Sequence, residues 1–172
     1  SDGQLLGTLK PTELPGGVRF NGTTVLLSEV QLPDEVELSC QVRCDGEATW
    51  QLGLIGKDGH AAMVELAGVQ NPMVFTKGAI LWVMNGPGRF SPPSVNRQFQ
   101  FIPGRTYDVR FVRYQNRVHV QVDGEDLFSA KMNLPPTPTL IIQGAYGADG
   151  TGFQVDDLQV KASEAAIRRS EA

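Results

Sequence analysis

The sequence predicts an all-β protein, a two-sheet antiparallel β-sandwich, and three observations carry that prediction. Residues 106–128, TYDVRFVRYQNRVHVQVDGEDLF, hold two runs that alternate apolar and polar residues and are joined by tight turns. A strand with one buried face repeats every two residues, so this stretch reads as a long β-hairpin. Throughout the chain, 19 glycines and 11 prolines punctuate short alternating runs. Helical composition appears only at the end, in SEAAIRRSEA.

Taken in order, the predicted strands are 17–20, 24–30, 35–44, 48–56, 61–67, 79–84, 97–102, 106–114, 117–123, 126–130, 139–145 and 152–161. The strand 35–44 shows its two faces plainly, with Val36, Leu38, Cys40, Val42 and Cys44 against Glu35, Glu37, Ser39, Gln41 and Arg43. Turn signals separate the strands at Asn21-Gly22, Asp45-Gly46, Lys57-Asp58-Gly59, Pro103-Gly104, Asp123-Gly124 and Asp149-Gly150. These pairs accept turn dihedrals at low cost, and Gln115-Asn116 closes the central hairpin. About a dozen short strands at this spacing suggest two packed sheets. Residues 68–78 and 85–96 are longer connections rich in Gly and Pro. The expected organisation is a lead-in over 1–14, one sandwich domain over 15–162, and a polar tail or linker over 163–172.

Composition narrows the partners. Fifteen basic residues face 19 acidic ones, with no basic run, so nucleic acid is not an expected partner. No apolar run approaches the ~20 residues of a spanning helix. Cys40 and Cys44 lie four apart on one strand, roughly 13 Å at the usual rise. A disulfide needs Cα atoms within about 7 Å, so the two are expected to be buried small apolar side chains.

Three segments carry a family resemblance: EVELSCQVRCDGEATWQLGL, GRTYDVRFVRYQNRVHVQVDGEDLF and LIIQGAYGADGTGFQVDDLQV. Together they resemble the opening strand pair, long hairpin and closing pair of the concanavalin A-like lectin/glucanase jelly roll. Within that fold they resemble the 3-keto-disaccharide hydrolase-like domain. The resemblance implies a carbohydrate-binding or glycan-surface-binding module of a larger extracytoplasmic protein. It implies as alternatives a glycoside hydrolase, or a structural or protein-binding module.

The residues themselves give no recognisable catalytic set. A retaining glycosidase needs two carboxylates about 5 Å apart. The Glu-x-Asp-x-x-Glu string that glucanases of this fold use does not occur here. The acidic pairs Glu35–Glu37, Glu125–Asp126 and Asp156–Asp157 have no second partner at that spacing. Only His60 and His119 are available to a serine or cysteine triad or to zinc, and His60 follows Asp58-Gly59 in a turn.

Two candidate sites remain. Sandwiches resembling this one hold a structural calcium near the last strand, and Asp156 and Asp157 fall where alternation would place an apolar residue. A bulge there turns one carboxylate outward while keeping Val155 and Leu158 in the core. Sugars are held by an aromatic plate and planar polar side chains, and Arg117, His119 and Gln121 share one strand face. Asp108, Arg110 and Tyr114 share a face of the adjoining strand, Trp82 lies opposite in parity to Leu81 and Val83, and Gln51, Met63 and Glu65 extend the patch.

Overall fold

The computed structural model describes residues 3–7, 18–20, 25–27, 32, 34–46, 48–68, 78–114, 116–132, 138–147 and 152–163. They form strands β1 (Gly3–Gly7), β2 (Val18–Phe20), β3 (Val25–Leu27), β4 (Val36–Asp45), β5 (Ala48–Ile55), β6 (His60–Ala67) and β7 (Ala79–Asn85). They continue as β8 (Ser94–Asn96), β9 (Thr106–Tyr114), β10 (Arg117–Val122), β11 (Glu125–Lys131), β12 (Thr139–Gly147) and β13 (Gly152–Ser163). The turns Asn21-Gly22 and Asp149-Gly150, Gln115, residues 69–77, most of the lead-in and residues 164–172 lie outside the described residues. No described helix is long and apolar enough to cross a membrane.

One sheet runs β1-β13-β4-β9-β10-β11, with β2 also paired to β13, and the other runs β3-β12-β5-β6-β7-β8. All pairings are antiparallel. The β13 sheet turns Leu38, Cys40, Val42, Tyr107, Val109, Phe111, Val118, Val120, Val122, Val155, Leu158 and Val160 inward. The β5 sheet meets them with Trp50, Leu52, Leu54, Ala62, Val64, Leu66, Leu81, Leu140 and Ile142. Trp50 stands edge-on to Phe153 at 6.1 Å between ring centroids and locks the two layers together.

The central hairpin is as the alternation predicts: β9 buries Tyr107, Val109 and Phe111, and β10 buries Val118, Val120 and Val122. Asp123 and Gly124 both take positive φ, 51° and 80°, the dihedrals of a two-residue hairpin turn. Both cysteines are free and buried, and the Cys44 thiol reaches the Gly46 carbonyl at 3.0 Å.

Two elements differ from expectation. The N-terminal lead-in contains β1, which pairs with β13 from Gly3↔Ser163 onward, so the sheet begins well before residue 15. Residues 97–102 are not a strand; β8 lies just upstream, inside what reads as a loop. The cause is local, because the Asn96 side chain accepts from the Gln98 and Phe99 amides at 3.1 and 3.2 Å and bends the chain out of the ladder. Phe99 and Phe101 then pack on Tyr107, whose hydroxyl accepts from the Ile102 amide and donates to the Gln100 carbonyl. Their apolar-polar alternation is that of an aromatic clamp.

Candidate functional site

The sequence-predicted patch is divided between the two sheets. Arg110, Tyr114, Arg117, His119, Gln121 and Asp108 lie on the outer face of the β13 sheet. Gln51, Met63, Glu65 and Trp82 lie on the outer face of the β5 sheet, so the sandwich core separates the groups. Alternation places each of them outward. Which sheet carries the strand is a separate matter.

On the β13 sheet the exposed polar groups are bonded to one another. The Arg110 guanidinium donates to Glu37 through Nε and to Gln121 Oε1 at 3.2 Å, and the Glu37 bond holds its pKa above the usual arginine value. Gln121 donates in turn to Asp126 Oδ1 at 2.7 Å, and Arg117 donates to Ser129 Oγ at 3.1 Å. A shallow groove of about 360 Å³ crosses this face, lined by Ser39, Gln41, Asp108, Arg110, Gln121 and Asp157 among others. Tyr114, 53% exposed, lies four residues along β9 from Arg110, opposite Arg117 in the ladder. This is a solvated outer surface knit by an ion pair and amide and hydroxyl bonds, and among the described residues its exposed aromatic ring, Tyr114, stands at the far end of the strand.

The other outer face is different. Thr49, Gln51, Ala61, Met63, Glu65, Ala67, Ile80, Trp82 and Ile141 all have outward parity, and all are buried. Across three adjacent strands runs a chain of polar side chains. Gln143 Nε2 on β12 donates to Gln51 Oε1 on β5, and Gln51 Nε2 donates to Glu65 Oε1 on β6 at 2.6 Å. Each amide is thereby oriented by the next, and the carboxylate at the end polarises the series. The Gln143 amide also approaches the Met63 sulfur at 3.8 Å. Glu65 itself has no exposed surface.

Beside this row, Trp82 is 7% exposed and stands opposite Met63 on β7. Its indole N–H and the Thr49 hydroxyl have no hydrogen-bond partner among the described residues. A buried donor without a partner costs about 1–3 kcal/mol, so such atoms in a well-packed sheet call for an explanation. The face is flat at Gly53, where a Cβ would stand 1.9 Å from the Ala62 carbonyl oxygen. It becomes more exposed at half-buried Gln143 on one side, and at half-buried Met84 and exposed Phe90 on the other.

Gln143, Thr49 and Phe90 lie on this outward side and are not singled out by the sequence reading. Gln143 and Thr49 carry a signal, since each puts a polar side chain at the same parity as Ile141 or Gln51. Phe90 carries none, being a lone aromatic in the connection NGPGRF.

The expected bulge is present. The β13–β4 register shifts between Asp156 and Gln159, Asp157 takes φ 52° and points to solvent, and Val155 and Leu158 stay in the core. Asp156 accepts from Gln154 Nε2 at 3.3 Å. Among the described residues, no group of three or more His, Cys, Asp or Glu side chains is placed to hold a metal ion. His60 begins β6, with its amide on Asp58 Oδ1 at 3.1 Å and its Nδ1 2.9 Å from Asp58 Oδ2, a turn cap.

No family model matches the chain, and no curated protein matches it by sequence. Solved structures do match by fold. Sheep galectin-11 in complex with glycerol is 12% identical, over 82% of this chain and 98% of that one, with a TM-score of 0.59. A tetrameric galectin from the ball sponge Cinachyrella sp. is 14% identical over 78% and 97%, with a TM-score of 0.64. The carbohydrate-binding module CBM66 from Bacillus subtilis is 8% identical over 94% and 96%, with a TM-score of 0.61. The chain therefore has the concanavalin A-like jelly-roll fold in its galectin-like form.

Proposed function

We propose that the protein is a carbohydrate-binding module whose ligand meets the outer face of the β5 sheet at its accessible edge, at half-buried Gln143, behind which Gln51 and Glu65 are aligned. The observation that carries the reading is the row of oriented polar groups beside orphaned donors: Gln143 and Gln51 aligned by Glu65, with the Trp82 N–H and Thr49 hydroxyl unpartnered. Sugar hydroxyls donate and accept at once, and a half-buried amide such as Gln143, held in place by the groups behind it, matches them without reorganising. The β13-sheet face is the weaker candidate, since its arginines and Gln121 are already bonded to neighbours. The fold neighbours add support, two being galectins and one a carbohydrate-binding module.

The alternative of a glycoside hydrolase, drawn from the 3-keto-disaccharide hydrolase-like resemblance, asks for two carboxylates in one site. The row described here supplies Glu65 alone among the described residues. A glycan array followed by calorimetry on the hits tests the proposal. Gln143→Leu abolishes binding at temperatures well below its melting point, although it lowers that point by leaving the buried Gln51 oxygen without its donor, whereas Arg110→Ala and Arg117→Ala leave binding intact. Loss in the arginine variants with retention in Gln143→Leu moves the site to the β13-sheet groove. Release of a shortened glycan on incubation moves the function to hydrolysis.

A further inference from the structure

In a chain of net charge −4, one corner of the β13-sheet face is positive. Arg117 stands directly opposite Lys131 in the β10–β11 ladder and directly opposite Tyr114 in the β9–β10 ladder. Paired residues of antiparallel strands project to the same side with Cβ atoms about 5 Å apart, and all three side chains are exposed. Two cations held at that separation repel, and such pairs destabilise a sheet. The arrangement calls for an anion.

No carboxylate among the described residues pairs with either cation. Glu37 is bound by Arg110, Asp126 by Gln121, and Asp123 by Arg105 and the Asp108 amide. Lys131 has no side-chain partner among the described residues. Arg117 uses one of its N–H donors on the Ser129 hydroxyl at 3.1 Å, a bond that turns the guanidinium toward β11 and cancels no charge. His119, opposite Ser129, adds an exposed ring to the same side. Tyr114, 53% exposed, ends the row with an apolar ring face and a hydroxyl tip. From Tyr114 through Arg117 to Lys131 the row crosses three adjacent strands, about 10 Å. That is the reach of one sugar ring bearing an acidic substituent, within a single ladder row and open to solvent.

We infer that Tyr114, Arg117 and Lys131 form a site for an acidic sugar residue, its ring resting on Tyr114 and its sulfate or carboxylate lying between the guanidinium and the ammonium. The guanidinium fork grips two oxygens of such a group, and the ammonium adds a point charge beside it. This site is independent of the one at Gln143, which lies on the other sheet. It gives the protein a second, charge-selective contact with a glycan.

The test is isothermal calorimetry of the wild-type chain and its Lys131→Glu, Tyr114→Ala and Arg110→Ala variants. The probes are N-acetylglucosamine 6-sulfate against N-acetylglucosamine, glucuronate against glucose, and inorganic sulfate alone. The wild-type chain binds an acidic sugar about ten-fold more tightly than its neutral parent, the effect of one hydrogen-bonded charge, and loses that preference as salt is raised. Lys131→Glu removes the preference, and Arg110→Ala keeps it, because the corner and not the neighbouring groove holds the anion. Tyr114→Ala weakens the acidic sugar and leaves inorganic sulfate unchanged. Equal affinity for acidic and neutral sugars, no binding of any acidic probe, or an unchanged preference in Lys131→Glu overturns the site. Inorganic sulfate held as tightly as the sulfated sugar overturns the assignment to a sugar. None of these outcomes bears on the neutral-sugar reading at Gln143. A carboxylate opposite Arg117 relieves the repulsion, so Lys131→Glu melts no lower than the wild-type protein, and its lost recognition is not lost folding.

Discussion

Replacing Gly53 by alanine puts a single methyl group at the centre of the β5 sheet, and its consequence follows from three distances. The added Cβ would stand 1.9 Å from the Ala62 carbonyl oxygen, 2.7 Å from Met63 Cα and 2.8 Å from the Ala62 carbonyl carbon. All three are backbone atoms of β6, so no side chain can swing away. Carbon and oxygen rest at about 3.3 Å or more, which requires β5 and β6 to part by roughly 1 Å or more at that point. Parting them weakens the ladder on either side of Gly53↔Met63, at Leu52↔Val64 and Leu54↔Ala62. About three ladder bonds at about 1 kcal/mol each give a loss of about 3 kcal/mol. For a chain of this size that is a fall in melting temperature of roughly 6–12 °C, read by calorimetry or circular dichroism. Gly124→Ala is the matched control: Gly124 has φ 80° but nothing within 4 Å, so its substitution costs only backbone strain, about 1 kcal/mol. A Gly53→Ala protein that melts within about 2 °C of wild type, or above Gly124→Ala, refutes the reasoning.

Val120→Ala leaves a cavity under β10 and costs on the order of 1–3 kcal/mol in a denaturant titration; no change would mean the β10 register is misassigned. Cys40 and Cys44 react with thiol reagents only after unfolding, and rapid labelling of the native protein would contradict their burial. Burial, with a smaller effect from Asp108, raises the Cys40 pKa well above the thiol range. The native state then keeps a proton that the unfolded state releases, so stability is complete below about pH 8.5 and falls as pH rises above it. Cys40→Ala flattens that alkaline decline, and an unchanged slope would assign it to other groups. Calcium and a chelator give superimposable melting curves, whereas a rise with calcium that Asp157→Ala removes would place a metal at the β13 bulge.

The fold was legible because burial on one side of a strand imprints a two-residue period. That period survives in β4, β9 and β10, where every second residue is apolar but for the buried Arg113 of β9. It fails in two ways. In β1, GQLLG is too short and mixed for a period to emerge, and its place comes from pairing with β13, more than 150 residues away in sequence. At Phe99 and Phe101 the period is present, but the Asn96 side chain outcompetes the ladder for the next amides. The site was half legible for a related reason. Parity tells which way Trp82 and His119 point relative to their own strands, and both do point away from the core. It carries nothing about which sheet a strand joins, which depends on where the chain crosses from β4 into β5 and from β7–β8 into β9. A row on one sheet and a row on the other therefore look like a single patch until the topology is known. β5 and β6 add a second difficulty, since both faces are buried and the polar Thr49, Gln51 and Glu65 of their outward side read as solvent-facing.

The antiparallel pairing of β1 with β13 sets how the domain responds to load. Gly3 lies opposite Ser163, so the first and last described strands leave the sheet side by side. A force pulling those two ends apart acts along the hydrogen bonds, which run perpendicular to the strands, and so opens the β1–β13 ladder one pair at a time like a zipper. β13 remains held along its other edge by β4, from Gly152↔Asp45 to Ala162↔Val36. In a single-molecule pulling experiment β1 should therefore peel at low force while the rest of the sandwich stays closed, making that strand the compliant element of an otherwise stiff body.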